Sequence, residues 1–271
     1  MRILVKVGGA PLLEEAGRLR FARSIQSALN AGHELIVVHG GGEQIRHWCT
    51  RLGIEDHYVQ GLRVTDEATS EVALAVLAGS VNRSLVHALD RVGAPAVGLT
   101  GADGRCFEAR PLEISGAQLG YVGEVQAVHP KLPLALCALG YVPVIASMAP
   151  LAEDAAGDPS RLYNVNADHA AAPLAAGLEA DALLLLSDVE AVRDAEGLPL
   201  AELGPVKHAE LLKQGALQGG MLPKVAAAAS AAKALPNGRV VIASAELEDC
   251  VLAALAPGGG THISAREEVH G

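Results

Sequence analysis

Aromatic residues make up only 3% of this 271-residue chain, and its net charge is −10. A nucleic-acid surface needs a cationic footprint and stacking side chains, so no nucleic-acid partner is expected. Cysteine is scarce too: Cys49, Cys106, Cys137 and Cys250 lie far apart with no CxxC pair. That spacing suits neither a zinc site nor a disulfide framework, and scattered thiols fit a reducing compartment. No unbroken apolar run approaches the ~20 residues of a membrane span. Met1–Gly9 has no signal-peptide anatomy and reads directly as a strand. The expectation is a soluble, cytoplasmic protein without a membrane partner. Familiar phosphate and hydrolase signatures are also missing: there is no G-x-x-x-x-G-K-[ST], G-x-G-x-x-G, H-E-x-x-H or G-x-S-x-G. Any phosphate chemistry must use a different cradle.

What the chain does have is apolar content, 50% of its residues, enough for a sizeable core. Its organising stretch is Leu35-Ile36-Val37-Val38-His39-Gly40-Gly41-Gly42, followed by the helix-like Glu43–Trp48. A short apolar run bounded by glycines reads as a buried parallel strand. Glycines let the backbone turn sharply and approach a ligand, and a helix starting after them aims free N–H groups at an anion. Tight packing is the alternative use of the same turn.

Strand and helix patterns alternate along the chain. Strands are predicted at Ile3–Val7, Leu35–His39, Ala94–Leu99, Val142–Ala146, Ala182–Leu186, Val240–Ala243 and Thr261–Ile263. Helical spacing runs through Leu12–Ala31, from Gly42 to Gly53, through Asp66–Leu77 and Val81–Val92 joined around Gly79, and through Pro130–Ala138, Asn166–Leu178, Val206–Gln214, Met221–Leu235 and Leu247–Leu255. Tyr58–Thr65 reads as a hairpin or loop, and Arg105–Val128 as glycine-broken hairpins covering one side. This alternation predicts an α/β fold with a mostly parallel sheet and helices on both faces. Ligands then collect at the C-terminal ends of the strands, at Gly8-Gly9, Gly40–Gly42, Thr100–Gly104, Ser147 and Ser187-Asp188.

Four clusters carry chemistry. Lys6 interrupts Ile-Leu-Val-Lys-Val, where an unpartnered buried charge would cost several kcal/mol. It is either an edge-strand lysine or an ammonium facing a phosphate beside Gly8-Gly9. In Asn164-Val165-Asn166-Ala167-Asp168, one polar residue serves as an ordinary helix cap and Asp168 falls in the first turn, free to hold a lysine. Lys224, in Gly219-Gly220-Met221-Leu222-Pro223-Lys224, sits near a helix N-terminus, where a cation is disfavoured without an anion to answer. Arg63, flanked by apolar residues, fits a solvated loop arginine or a carboxylate clamp.

Taken in order, Lys6-Val7-Gly8-Gly9, Val38–Gly42, Gly61–Thr65, Asn164–Asp168, Leu186–Val189 and Gly220–Lys224 resemble the amino acid kinase family, in particular its branch acting on N-acetyl-L-glutamate. The resemblance spans Ile3 to about Ile263. It implies a three-layer α/β/α sandwich in one domain (1–271), with an amino-acid-binding lobe (1–172) and a nucleotide-binding lobe (173–271). The implied reaction is ATP-dependent phosphorylation of a side-chain carboxylate to an acyl phosphate, in arginine biosynthesis. By the same resemblance, Lys6 and Lys224 stabilise the transferring phosphoryl group and Asp168 positions both. Gly9, Gly41 and Gly42 offer backbone N–H groups to the reacting groups, and Arg63 and Asn164 hold the substrate's α-carboxylate end. Ser187, Asp188, Val189, Ala216, Leu217 and Gln218 line the nucleotide site. Magnesium is expected on the ATP phosphates rather than at a resident metal site. The sequence departs from the family at Glu190-Ala191-Val192, where a glycine is common, and at Ala102, where many members have lysine. The turn Thr100–Gly104 is therefore assigned no role.

Two other functions compete. A kinase of a carrier-protein-linked aminoadipate or glutamate, in lysine or ornithine biosynthesis, would need a basic docking patch, against which the net charge of −10 counts. A catalytically inactive amino-acid sensor would be expected to lose a charged site residue, yet Lys6, Asp168 and Lys224 are all present. In arginine-controlled members an extra helix before the first strand links dimers into a larger ring. The first strand here opens at once, so a homodimer insensitive to arginine is expected.

Overall fold

The computed structural model describes residues 1–266. Its centre is an eight-stranded sheet built from β1 (Arg2–Val7), β2 (Glu34–His39), β5 (Ala96–Leu99), β8 (Val142–Ala146), β11 (Ala182–Ser187), β12 (Glu202–Leu203), β13 (Arg239–Ser244) and β14 (Thr261–Ile263). The strand order is β12-β14-β13-β11-β1-β2-β8-β5, and every pairing is parallel except β13 with β14. β1 lies between β2 and β11, with β8 and β5 beyond β2 and β13, β14 and β12 beyond β11, so the two halves of the chain extend the sheet to opposite sides of β1. Such a reversal of strand order opens a crevice at the C-terminal strand ends. The glycine turns after β1 and β2 and Ser187 at the end of β11 all fall there.

Side-chain alternation along β1 decides what meets what. Ile3, Val5 and Val7 enter one core, with Phe21 and Ile25 of α1 (Glu15–Asn30), Leu85 and Leu89 of α4 (Asn82–Arg91), and Val251 of α9 (Cys250–Leu255). Leu4 points to the opposite core, with Ala170 and Leu174 of α6 (Ala167–Gly177) and Val225 and Ala228 of α8 (Met221–Ala234). A period of two then puts Lys6 on the α6/α8 side, beneath two alanine-rich helices that approach closely because their contact residues are small. Helices α5 (Lys131–Ala138) and α7 (Pro205–Gln214) complete the layers. The predicted three-layer, mostly parallel architecture is the one observed.

A second, four-stranded sheet, β6-β7-β10-β9, comprises Phe107–Pro111, Val122–Val128, Leu162–Val165 and Met148–Pro150, respectively. The β6–β7 hairpin matches expectation; β9 and β10 do not register in the local pattern. They are short, and β10 exists through its partners, running parallel to β7 and antiparallel to β9. A small hairpin, β3 (Tyr58–Val59) with β4 (Leu62–Arg63), follows α2 (Gly42–Leu52).

The two helical stretches expected to join around Gly79 form one continuous helix. Helix α3 (Glu67–Leu74) continues through a π-helical segment, Ala75–Val81, into α4. Val76, Leu77, Val81 and Leu85 all enter one core, so packing carries the helix through the glycine. The joined helix Glu67–Arg91 has the length and apolar composition to cross a bilayer, a property that a search for unbroken apolar runs misses. Half of its most apolar window is buried inside the domain.

Candidate active site

Lys6, Asp168 and Lys224 arrive from β1, α6 and α8 and converge on one oxygen. Asp168 Oδ1 lies 2.9 Å from Lys6 Nζ and 3.2 Å from Lys224 Nζ. Both lysines are nearly buried, at 5% and 8% exposure, so neither is an edge-strand or solvated residue. Asn166 makes this possible by capping α6: its Oδ1 accepts from the backbone N–H groups of Asp168 (3.0 Å) and His169 (3.2 Å). The Asp168 carboxylate is thereby released from capping. Burial pushes its pKa up, but the two ammoniums outweigh that and bring it to about 2. Burial, then the neighbouring Lys6 charge, draws the Lys224 ammonium below the ordinary lysine range. Two cations against one carboxylate leave a buried excess of positive charge, which suits a polyanion.

On one side of this trio is a cavity of about 270 Å³, lined by Lys6, Gly9, Gly41, Gly42, Arg63 and Asn164 among others. Gly41 packs closely against the helix: a Cβ there would stand 2.7 Å from Leu77 Cδ2 and 3.2 Å from Val81 Cγ2, so those side chains would have to shift to admit one. The π-helical segment packs directly on the glycine turn. Arg63 is buried, at 8% exposure; its Nη1 donates to the Asp56 carboxylate and its Nη2 to the Gly42 carbonyl at 2.8 Å. The guanidinium lies over the Tyr58 ring, 4.9 Å from its centroid. Burial lowers the Arg63 pKa, yet a guanidinium keeps its charge at neutral pH. Asn164 Nδ2 donates to Thr65 Oγ1 at 3.4 Å, which ties β10 to the end of the β3–β4 hairpin segment.

On the other side, a cavity of about 430 Å³ is lined by Lys6, Gly9, Asp168, Lys224, Ser187, Asp188, Val189 and Gln218 among others. It adjoins an open cleft of about 700 Å³ through Asp188, Val189 and Gln218, where Ala216 and Leu217 are also found. The Ser187 hydroxyl is buried with no partner among the described residues. An unpaired buried hydroxyl costs about 1–3 kcal/mol, which a ligand accepting or donating there would offset. Every residue assigned a role from the sequence thus lies on this chain of three cavities, whereas the turn Thr100–Gly104, given no role, lines none of them.

Sequence reasoning misses several members. Asp56, which holds Arg63 and lies 3.7 Å from Arg46 Nε through its other oxygen, sits in an unremarkable loop with no motif around it. Tyr58 has the same difficulty. Asn166 is legible as a cap, but its consequence for Asp168 needs the structure.

A profile of the amino acid kinase family matches residues 1–244. An acetylglutamate kinase from Gloeobacter violaceus is 41% identical over 228 residues, covering 82% of this chain and 73% of that protein. Another, from Oleidesulfovibrio alaskensis, is 39% identical over 97% of this chain and 90% of its own length. Among solved structures, smu.665 from Streptococcus mutans superposes with a TM-score of 0.82 at 27% identity, covering 98% of this chain and 99% of that one. With a match that takes in β1, both lysines, Asp168 and the glycine turns, the chain belongs to the amino acid kinase family.

Proposed function

We propose that this protein catalyses ATP-dependent phosphorylation of the side-chain carboxylate of N-acetyl-L-glutamate, forming an acyl phosphate, and serves arginine biosynthesis. The observation that carries the reading is the Lys6–Asp168–Lys224 trio, standing between a small glycine- and arginine-lined cavity and a larger cleft. The acetylglutamate kinases at about 40% identity support the acceptor.

In this reading a carboxylate oxygen attacks the γ-phosphorus of ATP as the bond to the β,γ-bridging oxygen breaks, and ADP leaves with that electron pair. The acceptor is already ionised at neutral pH and needs no general base. The requirement is in-line positioning and positive charge where phosphoryl charge spreads. Lys6 and Lys224 supply the charge, and Asp168 holds both ammoniums in place. Gly9, Gly41 and Gly42 donate backbone N–H groups, while Arg63 and Asn164 hold the substrate's α-carboxylate end. A bidentate arginine fixes a carboxylate's plane as well as its position.

The cleft fits a nucleotide: the orphaned Ser187 hydroxyl, Asp188, Val189 and the Ala216–Leu217–Gln218 strip would receive it. Magnesium, which neutralises charge on the β- and γ-phosphates when bound, would ride on the nucleotide and its own waters. The amino-acid lobe is then 1–172 and the nucleotide lobe 173–271, of which 267–271 lie outside the described residues. We further propose a cytoplasmic homodimer, two-fold pairing being the commonest closed assembly.

The test is release of ADP with N-acetyl-L-glutamate, glutamate and aminoadipate as separate acceptors. The reading expects saturable turnover with the acetylated substrate far above the other two. Turnover with free glutamate or aminoadipate but not with N-acetyl-L-glutamate overturns it.

A further inference from the structure

His39 ends β2 one residue before the glycine turn, and its imidazole is completely buried. Its Nδ1 lies 3.0 Å from the Gly40 carbonyl oxygen, and its Nε2 lies 3.0 Å from Asn82 Nδ2. A carbonyl oxygen only accepts and an amide nitrogen only donates, so Nδ1 must carry the proton and Nε2 must present its lone pair. Asn82 is equally buried, and its orientation is dictated from two further directions. Its second amide N–H goes to the Val144 carbonyl of β8 at 2.8 Å, and its Oδ1 accepts from Arg83 Nη2 at 2.6 Å. A flipped amide would set oxygen against carbonyl and N–H against guanidinium.

The surroundings are shaped for this chain of bonds. A Cβ at Gly98 of β5 would overlap Asn82 Oδ1 and the Arg83 guanidinium, so only glycine admits the network. Burial, with the Arg83 charge acting in the same direction, pushes the His39 pKa to about 4 and keeps the ring neutral. The π-helical segment that rests Leu77 and Val81 on Gly41 delivers Asn82 as the next residue. A well-packed apolar pair could serve a core at least as well, since buried polar partners contribute little net stability.

What the network touches is the peptide between Gly40 and Gly41. In a planar trans peptide the N–H points opposite to the C=O. Fixing the Gly40 carbonyl toward the core therefore turns the Gly41 N–H outward, in a conformationally permissive glycine run whose flanks are held by the Gly40 N–H on the Val7 carbonyl (3.3 Å) and the Ile45 N–H on the Gly41 carbonyl (2.9 Å). We infer that His39, locked by Asn82 in its Nδ1–H tautomer, is a positioning residue for phosphoryl transfer, holding the Gly41 N–H on the reacting carboxylate and phosphoryl oxygens. The inference rests on the proposed function above, and adds the residues that aim the glycine cradle.

The experiment has two arms on the full chain. Nitrogen-15 NMR of histidine-labelled, unliganded protein at neutral pH, with His39 assigned by the signal lost in His39→Asn, reads the tautomer. Protonated Nδ1 with bare Nε2 is expected, and a protonated Nε2 overturns the inference. Kinetics then compare His39→Leu and Asn82→Leu, which cut the network, with His39→Asn, which keeps a donor near the Nδ1 position. Misplacement of a reacting contact by an ångström costs about 10²-fold. The two leucine variants should lose kcat on that scale with KM for both substrates within about twofold, and His39→Asn should recover most of it. Lowered melting temperature with kcat unchanged would mean a purely structural role and overturns the inference. If the leucine variants fail to fold, His39→Asn and the tautomer of the unmodified protein decide. Because the tautomer is read without substrate, a wild-type protein inactive on N-acetyl-L-glutamate would refute the proposed function and leave this arm standing.

Discussion

Replacing Asp168 with Asn removes one negative charge from between two buried ammoniums while hardly changing volume. Both nitrogens contact the same oxygen, at 2.9 and 3.2 Å, so they lie within about 6 Å of each other. At an effective dielectric of about 20, two unit charges at that separation repel by about 3 kcal/mol. In the native protein the carboxylate more than offsets this; in Asp168→Asn only the weaker attraction of Asp188 for Lys224 remains. Removing one partner of a buried ion pair costs about 3–5 kcal/mol unless a remaining charge neutralises. Lys224, which burial and Lys6 already hold below the usual lysine range, is the group that gives up its proton. The variant should therefore fold less stably and lose about 10²–10³-fold in kcat, the scale of a lost transition-state charge contact. Its kcat should also fall with rising pH at a lower pH than in the native enzyme, because deprotonation removes the charge that the reaction uses. Steady-state kinetics from about pH 6 to 9 reads both effects. A variant with native kcat, or with an unmoved descending limb, refutes the idea that Asp168 holds two working ammoniums.

Three further outcomes follow from single contacts. Arg63→Lys keeps a charge but loses the planar fork that spans Asp56 and Gly42, so KM for the amino acid should rise about tenfold or more with KM for ATP nearly unchanged. A larger change in the ATP constant would assign Arg63 to the other cavity. Gly41→Ala drives a Cβ to 2.7 Å from Leu77 Cδ2, an overpacking cost of about 1–3 kcal/mol, and should lower kcat in assays at saturating substrates; native activity would contradict the close packing. For acid stability, the folded His39 pKa of about 4 lies below its ordinary 6.5, so the folded state binds fewer protons. Its contribution is complete above about pH 6.5 and is lost as pH falls toward 4, at up to about 1.4 kcal/mol per pH unit. Asp168, lowered from 3.8 to about 2, adds a second loss below that window. Urea titrations at stepped pH values measure the slope, and stability that stays flat from pH 7 to about 4.5 contradicts it.

Much of the site is legible in the sequence because its members sit at strand ends and helix starts, where a polar residue or glycine is conspicuous against an apolar run. Lys6 stands out within Ile-Leu-Val-Lys-Val, and Gly8-Gly9 and Gly40–Gly42 mark the crevice side of the sheet. Lys224 stands out because a cation near a helix N-terminus asks for an anion. What the sequence does not carry is pairing between distant residues. His39 and Asn82 are 43 positions apart, and neither has a local signal of the bond between them. Asp56 is near Arg63 in sequence, but nothing in Ile54–His57 distinguishes it from a solvated acid. The strands β9 and β10 fail for the same reason, each being defined by its neighbours in the second sheet. At Gly79 the two expected stretches merge into one helix, since core packing of Val76, Leu77 and Val81 outweighs a glycine cost of about 1 kcal/mol.

The central claim is that the two lysines act on a phosphoryl group passing to a carboxylate. An acyl phosphate reacts with hydroxylamine to give a hydroxamate, whereas adventitious ATP hydrolysis does not. Incubation of the full chain with ATP, magnesium and N-acetyl-L-glutamate, followed by hydroxylamine trapping, reads that product directly. Hydroxamate formed in step with ADP, and reduced about 10²-fold or more in folded Lys6→Ala and Lys224→Ala proteins, is the predicted result. ADP release without hydroxamate, or native yields from either lysine variant, would contradict it.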